Sequence, residues 1–171
     1  MGILQQTSRN GTACRKVDKI VMVKVYIASD HAGFVKKQEL AQKLSQSFEV
    51  IDLGPEEIDP KDDYPIFAER VGNAVIEDPG SFGILVCKSG QGMEIAANKI
   101  DGVRAALVWN KHLAMETRND NDSNIMSLPS GELSLEEMFE ITTTFLETPF
   151  SGAIRHKRRL EEIKDIEEEQ V

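Results

Sequence analysis

Between Val23 and Glu147 the chain switches repeatedly between short apolar runs and longer amphipathic stretches. The apolar runs, rich in β-branched residues, are Val23–Ala28, Glu49–Leu53, Gly83–Cys87, Arg104–Val108 and Asn124–Leu128. The amphipathic stretches are Phe34–Ser47, Tyr64–Glu77, Gly92–Lys99, Lys111–Arg118 and Ser134–Glu147. In Phe34–Ser47, for instance, Val35, Leu40, Ala41 and Leu44 can share one helical face. Strand–helix units repeated in this way predict a five-stranded parallel sheet with helices on both sides. Right-handed crossovers then give a Rossmann-like three-layer αβα sandwich of the α/β class. Pro149 and Gly152 break the fifth helix, and a C-terminal helix is expected over about Ile154–Glu168. Residues 1–22 lack periodicity and read as a flexible extension or expression leader, with a natural start near Met22. Residues 23–171 then form one domain.

The net charge of −9 argues against a nucleic-acid partner, which needs a broad cationic face. None of the apolar runs approaches the length needed to span a bilayer. With no secretory leader evident and only Cys14 and Cys87 as thiols, the chain reads as cytoplasmic and free of disulfides. The charge is uneven: Arg155, Lys157, Arg158 and Arg159 form a basic island ahead of an acidic tail. Such an island on an acidic protein suits a small anion.

In open parallel sheets ligands bind beyond the carboxyl ends of the strands. That rule selects the loops 29–33, 54–64, 88–92, 109–112 and 129–131. The most informative of them is Cys87-Lys88-Ser89-Gly90-Gln91-Gly92, which joins a buried strand to a helix. Gly90 and Gly92 allow a tight turn and close backbone approach, and the loop amides with the helix end offer donors to an oxyanion. Spacing alone also fits a nucleotide-phosphate turn or a plain strand–helix turn. Cys87 equally fits a small buried hydrophobe. Asp30 reads as either an N-cap or a pocket carboxylate. Arg155 and Arg159 share a helical face, either pairing with Glu161 and Glu162 in solvent or converging on a phosphate.

Taken together, Asp30-His31-Ala-Gly33, Asp63-Tyr64-Pro65, Cys87-x-Ser89-Gly90-x-Gly92-Met93-x-Ile-Ala-Ala-Asn98-Lys99, Arg104-Ala-Ala, Asn121-Asp-x-Asn124 and Arg155-His156-x-x-Arg159 resemble the ribose-5-phosphate isomerase B family. That family includes the galactose-6-phosphate isomerase subunits, and the likeness runs from about Val23 to Ile166. The resemblance implies interconversion of an aldose phosphate and a ketose phosphate through an enediolate, without metal or other cofactor. Cys87 would be the base, because Met93 stands where another branch of the family has a glutamate. Glu94, one residue on, points about 100° away around the helix and is only a substitute base. Ser89 and the amides of Gly90, Gln91 and Gly92 would hold the enediolate. Asp30 would grip sugar hydroxyls, with His31 near the phosphate or ring oxygen and Tyr64 as pocket wall. Asn121 would also contact substrate. Arg155 and Arg159 would bind phosphate across a subunit interface, making a homodimer, or a dimer of dimers, the active species.

Three positions depart from the family pattern. Asp120 stands where a ring-opening histidine is frequent, with His112 a possible replacement. Gly131 stands where the family usually has a substrate-contacting arginine. Lys88 replaces a glycine; it can lower the Cys87 pKa, reach the phosphate, or point into solvent. These departures keep open a hexose 6-phosphate of galactose or allose type as substrate, or a non-catalytic companion subunit that keeps the pocket. A nucleotide-binding module fits poorly, since the glycine loop follows the third strand and no complete Gly-x-Gly-x-x-Gly occurs.

Overall fold

The computed structural model describes residues 22–169. The expected leader over 1–22 therefore lies outside the described residues apart from Met22. Five strands and six helices follow one another as β1 (Lys24–Ser29), α1 (Phe34–Leu44), β2 (Glu49–Asp52), α2 (Tyr64–Glu77), β3 (Phe82–Cys87), α3 (Gln91–Ala97), β4 (Ala105–Leu107), α4 (Lys111–Asn121), β5 (Ile125–Pro129), α5 (Leu135–Glu147) and α6 (Ile154–Glu168). All strand pairs are parallel and the sheet order is β2-β1-β3-β5-β4. The αβα architecture matches the expectation from the alternating pattern.

Strand alternation divides the core. Ile84 and Val86 of β3 face a cluster with Leu40, Leu44, Met126, Leu128, Met138 and Phe145, under α1, α4 and α5. Leu85 and Cys87 face the opposite cluster with Phe67, Ala68, Val71, Met93 and Ala97, under α2 and α3. Burial on both faces is why the central strand β3 is apolar at every position. Phe145 packs edge-on to Phe82, ring centroids 5.7 Å apart, and the Arg118 guanidinium lies 4.7 Å from the Phe82 ring.

Helix α1 departs from its sequence reading. Leu40 and Leu44 are fully buried, but Val35 is 57% exposed and Lys37 is buried in its place. The Lys37 ammonium donates to both carboxylate oxygens of Asp52 at 2.8 and 2.7 Å and to the Pro55 carbonyl at 3.1 Å. An ammonium has three N–H donors, so every one is satisfied and its burial is tolerated.

Candidate active site

From β1 the chain moves to one side, into β2, and from β3 it moves to the other, into β4. The carboxyl ends of these two neighbours therefore flank the crevice where strand order reverses. Register pairs Ser29 with Val86, so the next residues, Asp30 and Cys87, lie side by side. Cys87 Sγ donates to Asp30 Oδ2 at 2.9 Å, and Asp30 Oδ1 accepts from the Gly33 amide at 2.9 Å. Both side chains are buried.

That environment sets the thiol's acidity. Burial, then the hydrogen bond and negative charge of Asp30, push the Cys87 thiol from 9.0 up to about 11, while the Gly90 and Ser89 amides pull it down. Of the three roles open to Lys88, lowering the Cys87 pKa is not the one this environment supports, and the end of helix α3 does not lower it either. Helix α3 has only seven residues and Lys88 is exposed, so neither outweighs a buried carboxylate in direct contact.

The loop after Cys87 is held from behind. The Ser130 amide and hydroxyl donate to the Cys87 carbonyl at 2.8 and 3.1 Å, the Gly131 amide to the Lys88 carbonyl at 2.9 Å, and Ser127 Oγ to the Gly90 carbonyl at 2.6 Å. In a planar trans peptide the following N–H points opposite its carbonyl. Tying those three carbonyls toward β5 turns the amides of Lys88, Ser89 and Gln91 away from it. Gly90 sits at φ 75°, the left-handed region that favours glycine. Gly92 lies under the Tyr64 ring, whose carbon Cζ would be 2.8 Å from an added Cβ. Tyr64 thus forms a wall beside the first turn of α3, where Gln91 is exposed.

His31, after β1, bonds through Nδ1 to Asp62 Oδ1 at 2.6 Å. That bond, and the charge of the carboxylates around it, hold the imidazole above its ordinary 6.5. Asp62 was not singled out in the sequence, although the acidic pair Asp62-Asp63 lies in one of the selected loops. Two buried oxygens at this end, Asp62 Oδ2 and Ser29 Oγ, have no hydrogen-bond partner among the described residues. Ser130 was likewise passed over, since a serine between proline and glycine reads simply as turn.

Asp120, Asn121, Arg155 and Arg159 are not brought to this crevice within one chain. Asp120 and Asn121 end α4, which leads into the start of β5, so they lie at the amino edge of the sheet. A six-residue strand spans about 20 Å, which is roughly the separation of the two groups. Asp120 accepts from Asn119 Nδ2 at 2.6 Å and approaches His156 Nδ1 at 3.6 Å. Asn121 lines a groove with Glu94, Ala105, Leu107 and Ile163. Glu94, its carboxyl raised by burial, therefore faces that groove, and Met93 is fully buried in the core. Arg155 and Arg159 are exposed on α6, whose one buried residue is His156. His112 pairs with Glu116 at 3.3 Å on the exposed face of α4. Among the described residues, no three His, Cys, Asp or Glu side chains group as a metal site requires. No helix there is long and apolar enough to cross a membrane.

A family model described as Ribose/Galactose Isomerase matches residues 25–163. The chain belongs to that isomerase family. It is 37% identical over 146 residues to ribose-5-phosphate isomerase B of Mycobacterium tuberculosis, covering 85% of this chain and 90% of that protein. It is 41% identical over 146 residues to the probable ribose-5-phosphate isomerase B of Mycoplasma pneumoniae, covering 85% and 95%. Among solved structures, the Mycoplasma genitalium ribose-5-phosphate isomerase B with bound ribulose 5-phosphate superposes with a TM-score of 0.82 at 38% identity, covering 86% of this chain and 97% of that one.

Within the family frame, two of the three unusual positions touch. A Cβ on Gly131 would sit 2.9 Å from the Lys88 carbonyl oxygen and 3.4 Å from Lys88 Cγ. The stem of Lys88 therefore lies against the residue that lacks a side chain. Lys36 braces the same loop from α1, its ammonium donating to the carbonyls of Ser130 at 2.5 Å and Leu133 at 2.6 Å.

Proposed function

We propose that this isomerase interconverts ribose 5-phosphate and ribulose 5-phosphate by proton transfer through an enediolate. The observation that carries the reading is the contact of Cys87 Sγ with Asp30 Oδ2 at 2.9 Å, beside outward-facing loop amides. The pair holds one proton and one negative charge. Passing the thiol proton to Asp30 creates the thiolate without adding net charge to a buried site, so the high resting pKa does not block the base. The thiolate takes the C2 proton of the open aldose, and O1 gathers negative charge facing Ser89 and the amides around Gly90, Gln91 and Gly92. The O2 proton passes to O1, and the same sulfur returns its proton to C1, which leaves the C2 carbonyl of the ketose. His31, Tyr64 and Lys88 line the sugar.

The second group of residues acts from another copy of the chain. Helix α6 carries Ile154, Ile163 and Ile166 at 88, 44 and 56% exposure, and the edge strand β4 opens onto the groove beside it. A homodimer that covers these side chains brings Arg155 and Arg159 of the partner subunit to the phosphate, and Asp120 and Asn121 of the partner subunit to ring opening. A dimer of dimers is compatible with this pairing. The chemistry belongs in the cytoplasm, where Cys87 stays reduced. The test is an isomerase assay on metal-free protein. Cys87→Ala should abolish turnover with an unchanged melting temperature, and full activity in that variant sinks the assignment. Lys88 against Gly131, with Asp120, favours one second reading, a hexose 6-phosphate substrate. A higher kcat/KM on galactose or allose 6-phosphate than on ribose 5-phosphate would establish it.

A further inference from the structure

His156 is 2% exposed, the buried residue of an otherwise exposed helix, and the proposed reaction leaves it without a task. Its Nε2 lies 2.9 Å from Nε of Arg155. A guanidinium is always protonated and cannot accept, so Nε2 must be the acceptor. The neutral ring then carries its proton on Nδ1, which faces Ser151 Oγ at 2.9 Å and Asp120 Oδ1 at 3.6 Å. Ser151 is fixed in turn by its amide, which donates to the Asn119 carbonyl at 3.0 Å. The end of α4 thus anchors one side of the imidazole, and the other side holds Arg155. Among the described residues Arg155 makes no other side-chain hydrogen bond or ion pair, so both terminal nitrogens stay available.

We propose that His156 is a positioning residue: as the neutral Nδ1–H tautomer it pins Nε of Arg155, so that the two Nη groups present as a preformed fork. This rests on the reading that Arg155 binds the substrate phosphate. The logic is that of a histidine whose second nitrogen is held by an outer partner and which thereby orients the group it touches. Ordering a long side chain in advance removes an entropic cost from binding, equivalent to about two- to tenfold in affinity. Phosphate is held alike in the ground and transition states, so the effect falls on KM and leaves kcat in place.

The test compares four variants with ribose 5-phosphate, each checked by thermal melting. Arg155→Ala should raise KM most. His156→Leu should raise KM about two- to tenfold at unchanged kcat. His156→Gln places an acceptor oxygen where Nε2 stood and should restore KM, whereas His156→Asn, which reproduces only the Nδ1 side, should not. If Arg155→Ala leaves KM unchanged, the phosphate reading fails and this proposal falls with it. If Arg155→Ala raises KM but His156→Leu does not, or Asn rescues as well as Gln, the positioning role alone is overturned. Long-range ¹H–¹⁵N NMR of the unmodified protein gives an answer independent of folding in the variants. The His156 resonance, identified by its loss in His156→Gln, should show Nδ1 protonated and Nε2 bare, and the opposite tautomer refutes the proposal.

Discussion

Asp30→Asn separates two effects that one carboxylate has on Cys87. In the native site the carboxylate restrains ionisation of the thiol, and in the proposed reaction it also receives the thiol proton. With the thiol titrating near 11, only about one molecule in ten thousand carries a free thiolate at pH 7. Asparagine has nearly the same shape. Its oxygen can keep the bond from the Gly33 amide now made by Oδ1, which turns the NH₂ toward Sγ, where it donates to a thiolate instead of repelling it. The thiolate therefore becomes easier to form. Iodoacetamide labelling of Cys87 at pH 7, followed by peptide mass spectrometry to separate it from Cys14, should speed up about three- to tenfold. Part of the rise survives because burial, its largest cause, is unchanged. Isomerisation should move the other way, falling about 10²- to 10⁴-fold, because a neutral amide cannot take the proton. Opposite signs in the two assays are the signature. Isomerase activity within twofold of the unmodified protein would remove Asp30 as proton acceptor. Slower alkylation would show that the carboxylate was not restraining the thiol.

Asp62→Asn should bring the His31 titration back toward 6.5, since the bond to Asp62 is the first cause of its rise. A raised imidazole pKa stabilises the fold fully below pH 6.5 and ceases to as pH climbs through the folded value. The melting-temperature deficit of the variant should therefore be larger at pH 6 than at pH 9, and an equal deficit at both refutes the pairing. Phe145→Ala removes a fully buried ring packed on Phe82 and should cost about 3–5 kcal/mol in urea unfolding; a loss below about 1 kcal/mol would mean the site collapses to refill the space. Lys88→Met keeps the stem against Gly131 and deletes the charge. It should raise KM about two- to fivefold, the scale of one exposed charge contact, with the difference shrinking at high salt; no change at low salt removes Lys88 from the substrate.

Much of this protein is written locally. Side-chain periods of 2 and 3.6 distinguish strands from helices within a few residues, so all five strands and six helices lie close to their sequence positions. Gly90 of the loop after Cys87, at a left-handed φ, is a local requirement too, whereas Gly92 answers to the Tyr64 ring of α2. The family motifs are likewise short stretches of contiguous sequence. Helix α1 marks the limit, because Lys37 could be buried only once Asp52 and the Pro55 carbonyl were folded against it.

What the tertiary structure decided are the relations between stretches. Strand order β2-β1-β3-β5-β4 set Asp30 beside Cys87, 57 residues apart in sequence, and that contact with burial made Cys87 a resting thiol. The same topology sent α6 to the amino edge of the sheet, dividing the candidate residues into two groups that one chain does not join. The residue types and their order carried the reaction class, because chemistry depends on which groups are present. Acidity and assembly depend on distance and desolvation, and these exist only after the strands have paired.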